Sequence, residues 1–145
     1  MKKTNEYGLE VVLAFIDFNK AFDSIYLHSA WKALASQGVP ESIIIMLENL
    51  YRKSKAFISL DKKGESFRVD RGVKQGDPFS PNIFNAVLER LFTELKWEKY
   101  GSLTGGYQIN NLRFANDIVL TGKNMEEINC MIDDLVEQGA KEDYL

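Results

Sequence analysis

Two carboxylates of this chain stand where the neighbouring residues would hold them still. Val11-Val12-Leu13-Ala14-Phe15-Ile16 is an unbroken apolar run that ends on Asp17, the pattern of a strand delivering an acid at its exit. Far downstream, Leu112-Arg113-Phe114 and Ile118-Val119-Leu120 flank Asn116-Asp117, a tight hairpin with a polar pair at its tip. Carboxylates carried on rigid elements are the hard oxygen ligands that Mg²⁺ or Mn²⁺ takes. Between them, Gly72-Val73-Lys74-Gln75-Gly76-Asp77-Pro78-Phe79-Ser80-Pro81 leads into a long apolar-striped segment. Taken singly, each has a plainer reading. Asp17 is a chain-exit acid that reaches water, and Asn116-Asp117 are turn residues that tolerate left-handed backbone.

The elements that would position these groups follow from periodicity. Residues 10–17 suggest a central strand covered on both faces. A helix over about 27–37 stops at Gly38, a good C-terminal cap, and a second starts at Pro40, which suits a first helical turn. Ile43, Met46, Leu47, Leu50 and Tyr51 fall on one face of that second helix. The period then changes, so that 56–60, 61–64 and 65–69 read as strand, turn and strand. Ser80-Pro81 begins the longest helix, where Ile83, Phe84, Val87, Leu88, Leu91, Phe92 and Leu95 make one wide stripe. Gly101, Gly105 and Gly106 punctuate the next stretch, and 107–109 form a short strand. Asn124 and Glu127 make a capping box. The helix after it is expected to bury Ile128, Met131, Ile132, Leu135 and Val136.

Bulk properties narrow the class without naming it. The 145 residues, 45% of them hydrophobic, make one domain with a sizeable core. The net charge of −3 is unevenly spread: residues 52–74 hold eight bases against three acids, and residues 75–145 hold six against twelve. A basic middle could face phosphates; on charge alone it reads as a solvated hairpin whose lysines guard its edges. Cys130 stands alone, so neither a disulfide framework nor a multi-cysteine metal site is available, which fits an intracellular setting. Polar residues follow Met1-Lys2-Lys3, so no signal peptide is seen, and no apolar run reaches membrane-spanning length. His28, the one histidine, reads as a surface or packing residue.

In order, the three segments resemble motifs A, B and C of a reverse transcriptase palm of the non-LTR (LINE-type) retrotransposon kind, shared with group II intron relatives. The family's motif A, Asp-x-x-x-Ala-Phe-Asp after a hydrophobic residue, is similar to Asp17-Phe18-Asn19-Lys20-Ala21-Phe22-Asp23. Its motif B, Gly-x-x-Gln-Gly-x-Pro-x-Ser-Pro-x-x-Phe, is matched in register by Gly72, Gln75, Gly76, Pro78, Ser80, Pro81 and Phe84. Its motif C, Phe-Ala-Asp-Asp, resembles Phe114-Ala115-Asn116-Asp117. The resemblance spans about 11–120.

It implies an α+β, ferredoxin-like palm: an antiparallel sheet backed by the helix from Ser80 and the final helix, with a projecting β-hairpin. It implies a template-directed polymerase adding deoxynucleotides to a primer by two-metal catalysis with Mg²⁺ or Mn²⁺. It makes Asp17, Asn116 and Asp117 the catalytic positions, and Asp17, the Phe18 carbonyl and Asp117 the metal ligands. Phe22 becomes a steric gate against a ribose 2′-hydroxyl, and Gln75-Gly76 the backbone nearest the nascent base pair. Asp23 braces the loop or caps the next helix. Lys74, Arg71 and Arg68 become nucleic-acid contacts; an RNA template, a DNA primer and a deoxynucleoside triphosphate become the partners.

The chain departs from the family at one charged position. Asn116 stands where the first motif C aspartate is expected, keeping size and a carbonyl oxygen but losing the charge. Losing a charged group beside developing phosphoryl charge costs several kcal/mol, or roughly 10³-fold in rate. The family's fingers, motif D lysine and thumb are not recognisable, so the expectation is a single partial domain over 1–145, palm core about 10–138, with impaired catalysis and weak, salt-sensitive nucleic-acid binding. Two other readings stay open: a non-catalytic descendant binding nucleic acid or protein, and an unrelated α+β module.

Overall fold

The computed structural model describes residues 11–52, 55–59, 63–68, 71–74 and 76–141. Along them run β1 (Val12–Asp17), α1 (Ala21–Ser24), α2 (Leu27–Ser36), α3 (Glu41–Arg52), β2 (Lys55–Ser59), β3 (Lys63–Arg68), α4 (Ser80–Glu94), β4 (Ser102–Thr104), β5 (Tyr107–Ile109), β6 (Asn111–Phe114), β7 (Asp117–Gly122) and α5 (Met125–Lys141). They form two compact units, one of residues up to Asn19 and from Leu91 onward, the other Lys20–Arg90. The helix from Ser80 starts in the second unit and ends in the first.

The first unit is built on an antiparallel sheet in the order β1-β7-β6. Side chains alternate along a strand, so Ile118, Leu120 and Gly122 share one face. That face meets α5: a Cβ at Gly122 would lie 3.0 Å from Ile128 side-chain carbons. Ile128, Met131 and Leu135 of α5 are buried, with Ile118 and Leu120. Trp97 ties several segments of the unit together. Its indole N–H donates to Asp134 at 3.1 Å, its carbonyl accepts from the Asn110 amide at 2.8 Å, and its ring meets Phe92 edge-on. Gly105 and Gly106 both have positive φ in the two-residue turn joining β4 to β5, as a type I′ hairpin requires.

The second unit packs α2 against α3, with Ile25, Ala30, Ala33, Ile83, Phe84 and Val87 buried. The end of α2 is a Schellman motif: Val39 N–H donates to Leu34 O, Gly38 N–H donates to Ala35 O, and Gly38 has φ +81°. Pro40 caps α3 through its carbonyl, which accepts from Ile43 and Ile44 N–H. β2 and β3 pair antiparallel, Lys55 opposite Arg68, as the strand-turn-strand pattern predicts, except that Lys63 and Gly64, expected in the turn, belong to β3; residues 60–62 and Val69 lie outside the described residues.

Four expectations need correction. β1 is not a central strand covered on both faces: among the described strands it is an edge, and Phe15 is 78% exposed. A continuous apolar run cannot say which of its two faces will find a cover. The face of α3 is turned by about one position, burying Ile44, Leu47 and Tyr51 and leaving Ile43, Met46 and Leu50 exposed. Its first two turns are apolar almost all round, so the tertiary contact chooses the stripe. Val136 is likewise exposed, while Gly139 is buried on α5. The longest helix is α5, of 17 residues, rather than the 15-residue α4.

The capping box is realised with an added reach. Asn124 Oδ1 accepts from Glu127 N–H at 2.8 Å, and the Glu127 carboxylate accepts from Lys123 N–H and from Gly101 N–H, each at 2.8 Å. Asn124 therefore caps α5, while the Glu127 carboxylate ties the chain just before that cap to the start of β4. Glu127→Ala is expected to lower unfolding stability by about 2 kcal/mol, since two backbone donors lose a charged acceptor. Glu127→Gln should cost less. Urea titration followed by circular dichroism checks both.

Candidate functional site

The antiparallel register of β1 and β7 ends on the pair Asp17↔Asp117. Directly opposed residues point to the same side of a sheet, with Cβ atoms about 5 Å apart. Both acids are exposed, on the face away from α5. Phe15, Val119, Leu112 and Phe114 lie on that face too, because Phe15 pairs Val119, Leu112 pairs Val119 and Phe114 pairs Asp117. The carboxylate pair thus stands at the open end of an apolar surface on which Phe114 is 83% exposed.

The hairpin tip differs in detail from a polar pair. Phe114↔Asp117 closes the ladder, so the loop is Ala115-Asn116, and Asp117 is the first residue of β7. Ala115, not Asn116 or Asp117, takes the left-handed backbone, with φ +52°. A positive φ at the first of two loop residues alone is the type II′ pattern, whose usual occupant is glycine. Asn116 sits beside the acid pair as the second loop residue, and Phe18 follows Asp17 immediately beyond β1.

The second unit gathers the other predicted positions. Lys20, at φ +54°, turns the chain into α1, its carbonyl accepting from Asp23 and Ser24 N–H. Phe22 is half-buried, its ring tilted on Phe84 at 5.1 Å between centroids. The Phe22 carbonyl accepts from Val73 N–H at 2.7 Å, and the Ile25 carbonyl accepts from Gly72 N–H at 2.8 Å. Gly72 has φ +86°, and a Cβ there would meet Asp23 Cα and O at 3.0 Å. Motif B therefore starts stitched to the end of motif A, by a contact only glycine permits.

Gly76 also has positive φ, at +85°, but a Cβ there would meet nothing within 4 Å. Gln75 lies outside the described residues. Arg71 is bridged to Tyr26 through the backbone, with its guanidinium 4.0 Å from the Tyr26 ring centroid. Lys74 Nζ lies 5.8 Å from the Tyr51 ring. Arg68 ends β3. Asp17, Asn116 and Asp117 are thus neighbours in the first unit; Phe22, Arg71, Lys74 and Gly76 belong to the second.

Sequence reading missed Tyr26 and Ala115. Tyr26 lies far from Arg71 along the chain, and no local period marks it. Ala115 hides because hairpin turns are sought through Asn-Gly or Asp-Gly pairs.

As a donor set, two opposed carboxylates with a neighbouring amide oxygen and the Phe18 carbonyl suit one hard divalent cation. Among the described residues no group of three or more His, Cys, Asp or Glu side chains comes together to hold a metal ion. None of the described helices is long and apolar enough to cross a membrane.

Residues 1–144 match the family model described as reverse transcriptase (RNA-dependent DNA polymerase). The chain is 36% identical over 134 residues to the Retrovirus-related Pol polyprotein from type-1 retrotransposable element R2 of Nasonia vitripennis, covering 92% of this chain and 13% of that protein. It is 31% identical over 134 residues to the polyprotein from type-2 element R2DM of Drosophila melanogaster, with the same coverage. The chain therefore spans about an eighth of the length of these relatives. Among solved structures, apo telomerase from Candida tropicalis matches with a TM-score of 0.64 at 14% identity, over 97% of this chain and 30% of that one. At that identity the likeness concerns the fold alone, a palm-like arrangement of antiparallel sheet and helices.

Two features at this end of the sheet oppose folding: like charges directly across the β1–β7 ladder, and a side chain at positive φ in the β6–β7 turn. Asp17→Asn is expected to raise unfolding stability in metal-free buffer by a few tenths to about 1 kcal/mol. Ala115→Gly should raise it by roughly 0.5–1 kcal/mol, the relief of left-handed strain less the added chain entropy. Lower stability in either variant, by urea titration, would contradict the geometry described.

Proposed function

The chain belongs to the reverse transcriptase (RNA-dependent DNA polymerase) family, with R2 non-LTR retrotransposon Pol polyproteins among its relatives, and from that premise we propose that it is the palm portion of such an enzyme, impaired in catalysis. Both units then belong to one partial domain over 1–145, palm core about 10–138. The parent reaction is template-directed addition of deoxynucleotides to a primer 3′-hydroxyl. The observation that carries this reading is the pairing of Asp17 with Asp117 beside Asn116.

Bound divalent cations would supply charge neutralisation of the attacking oxygen and the leaving phosphate. Asp17, Asp117 and the Phe18 carbonyl would hold Mg²⁺ or Mn²⁺. Those groups fit one weakly held cation; the loss of charge at Asn116 leaves them short of the pair that the parent reaction uses. Phe22, braced by Phe84, is the flat wall against which an incoming sugar would rest, and its rigidity favours selection against a 2′-hydroxyl. Gly76 leaves open space beside its backbone, which suits close approach of a base pair, with Gln75 next to it. Arg71 and Lys74 are exposed cations steadied over aromatic faces, fit to meet phosphates, with Arg68 at the end of β3.

A second reading, a non-catalytic descendant that binds nucleic acid, draws on those same cations and on the open apolar face around Phe15 and Phe114. Primer extension with Mg²⁺ and Mn²⁺ distinguishes the two. The chain and its Asn116→Asp variant are expected to be inactive alone, and the variant joined to fingers and thumb to extend. Robust extension by the unaltered chain would reject the role given to Asn116. In calorimetry, Asn116→Asp should tighten Mn²⁺ binding and Asp17→Ala weaken it; titrations left unchanged by both would reject the metal assignment.

A further inference from the structure

Tyr51 stands in none of the three motifs, and as a core residue of α3 it would need no hydroxyl. It is buried, with Trp31 edge-on to its ring at 5.5 Å between centroids. Its hydroxyl lies 3.3 Å from Ser80 Oγ, also buried. Ser80 Oγ in turn donates to the Lys74 carbonyl at 2.6 Å. A serine hydroxyl has one proton to give. With that proton committed to Lys74, Tyr51 is the donor, and the relay runs from Tyr51 O–H through Ser80 O–H to Lys74 O.

The acceptor at the end of the relay is a knot in the loop. Lys74 O also accepts from Asp77 N–H at 3.2 Å. Asp77 Oδ1 accepts from Phe79 N–H at 2.9 Å, and Asp77 O accepts from Ser80 N–H at 3.2 Å. The Lys74 carbonyl thus holds both Asp77 and Ser80, and Asp77 in turn holds Phe79 and Ser80. The Lys74 side chain returns over the ring of the same tyrosine. A buried donor aimed at a buried hydroxyl has no water to turn to, so the relay resists loop movement.

We propose that Tyr51 is a positioning residue for Lys74 and the turn at Asp77–Ser80: its hydroxyl, acting through Ser80, sets where the Lys74 carbonyl and hence Gly76 lie. That the loop so positioned faces a primer–template rests on the reading under Proposed function; the tether itself does not. The signal missed by sequence reading is a polar group on a helix stripe otherwise spent on packing.

Amide hydrogen exchange of the 145-residue chain tests the tether. Tyr51→Phe keeps the ring against Trp31 and Lys74 and removes only the donor. Asp77 and Phe79 amides are expected to exchange about tenfold faster or more, with Thr121, bonded to Asn110 O in the other unit, unchanged. Ser80→Ala should produce the same pattern, and the double variant no further acceleration, as groups in one relay are not additive. Loop rates equal to the unaltered chain, or a uniform rise at all amides, would overturn the proposal. A DNA–RNA oligonucleotide duplex gives the second readout. Tyr51→Phe should weaken binding several-fold with the salt slope unchanged, whereas Lys74→Ala should reduce that slope by about one. The expected exchange pattern without duplex binding by the unaltered chain would support the tether and overturn the nucleic-acid reading.

Discussion

A single register holds the candidate chemistry together. β7 pairs with β1 so that Gly122 meets Val12 at one end and Asp117 meets Asp17 at the other. A slip of one residue would send each of those acids to opposite faces and push Ile118 and Leu120 into solvent. The α5 side opposes it, because Ile128 packs so closely on Gly122 that a Cβ there would lie 3.0 Å from its side-chain carbons. Thr121 adds a polar pin, its hydroxyl donating to Ile109 O and its N–H to Asn110 O. Packing on one face of the sheet thus dictates which groups oppose each other on the other face.

That placement runs against local preference. Opposed carboxylates repel, and alanine sits where a II′ turn favours glycine. Strain gathered at one hairpin, in a unit otherwise well packed, is the pattern of a site held by its surroundings. The second unit solves a related problem with different means. There a bare backbone contact between Gly72 and Asp23, two backbone hydrogen bonds and the Phe22–Phe84 contact join segments far apart in the chain. Exposed cations are then laid over tyrosine rings, which limits their freedom without removing them from water.

Much of this was legible beforehand. The strand ending on Asp17, the hairpin around Asn116, the β2–β3 pair, the start of the helix at Ser80, the stop at Gly38 and the Asn124–Glu127 cap each rest on a few adjacent residues whose chemistry is local. The four-residue helix Ala21–Ser24 and the β4 strand were not foreseen, being too short to show a period. The buried stripe of α3 was misjudged by one position, because Ile43 through Leu47 offer an apolar residue in every direction.

The sequence by itself determined the family, through motif residues whose spacing is a matter of counting, and it determined that an uncharged Asn116 precedes Asp117. Only the tertiary structure decided that Asp17 and Asp117 share a ladder rung, that Phe15 on β1 is exposed, and that Tyr26 and Tyr51 sit beneath Arg71 and Lys74. The reason is physical: register, face and ring contact depend on partners far away in the chain, and such partners leave no period in the residues beside them.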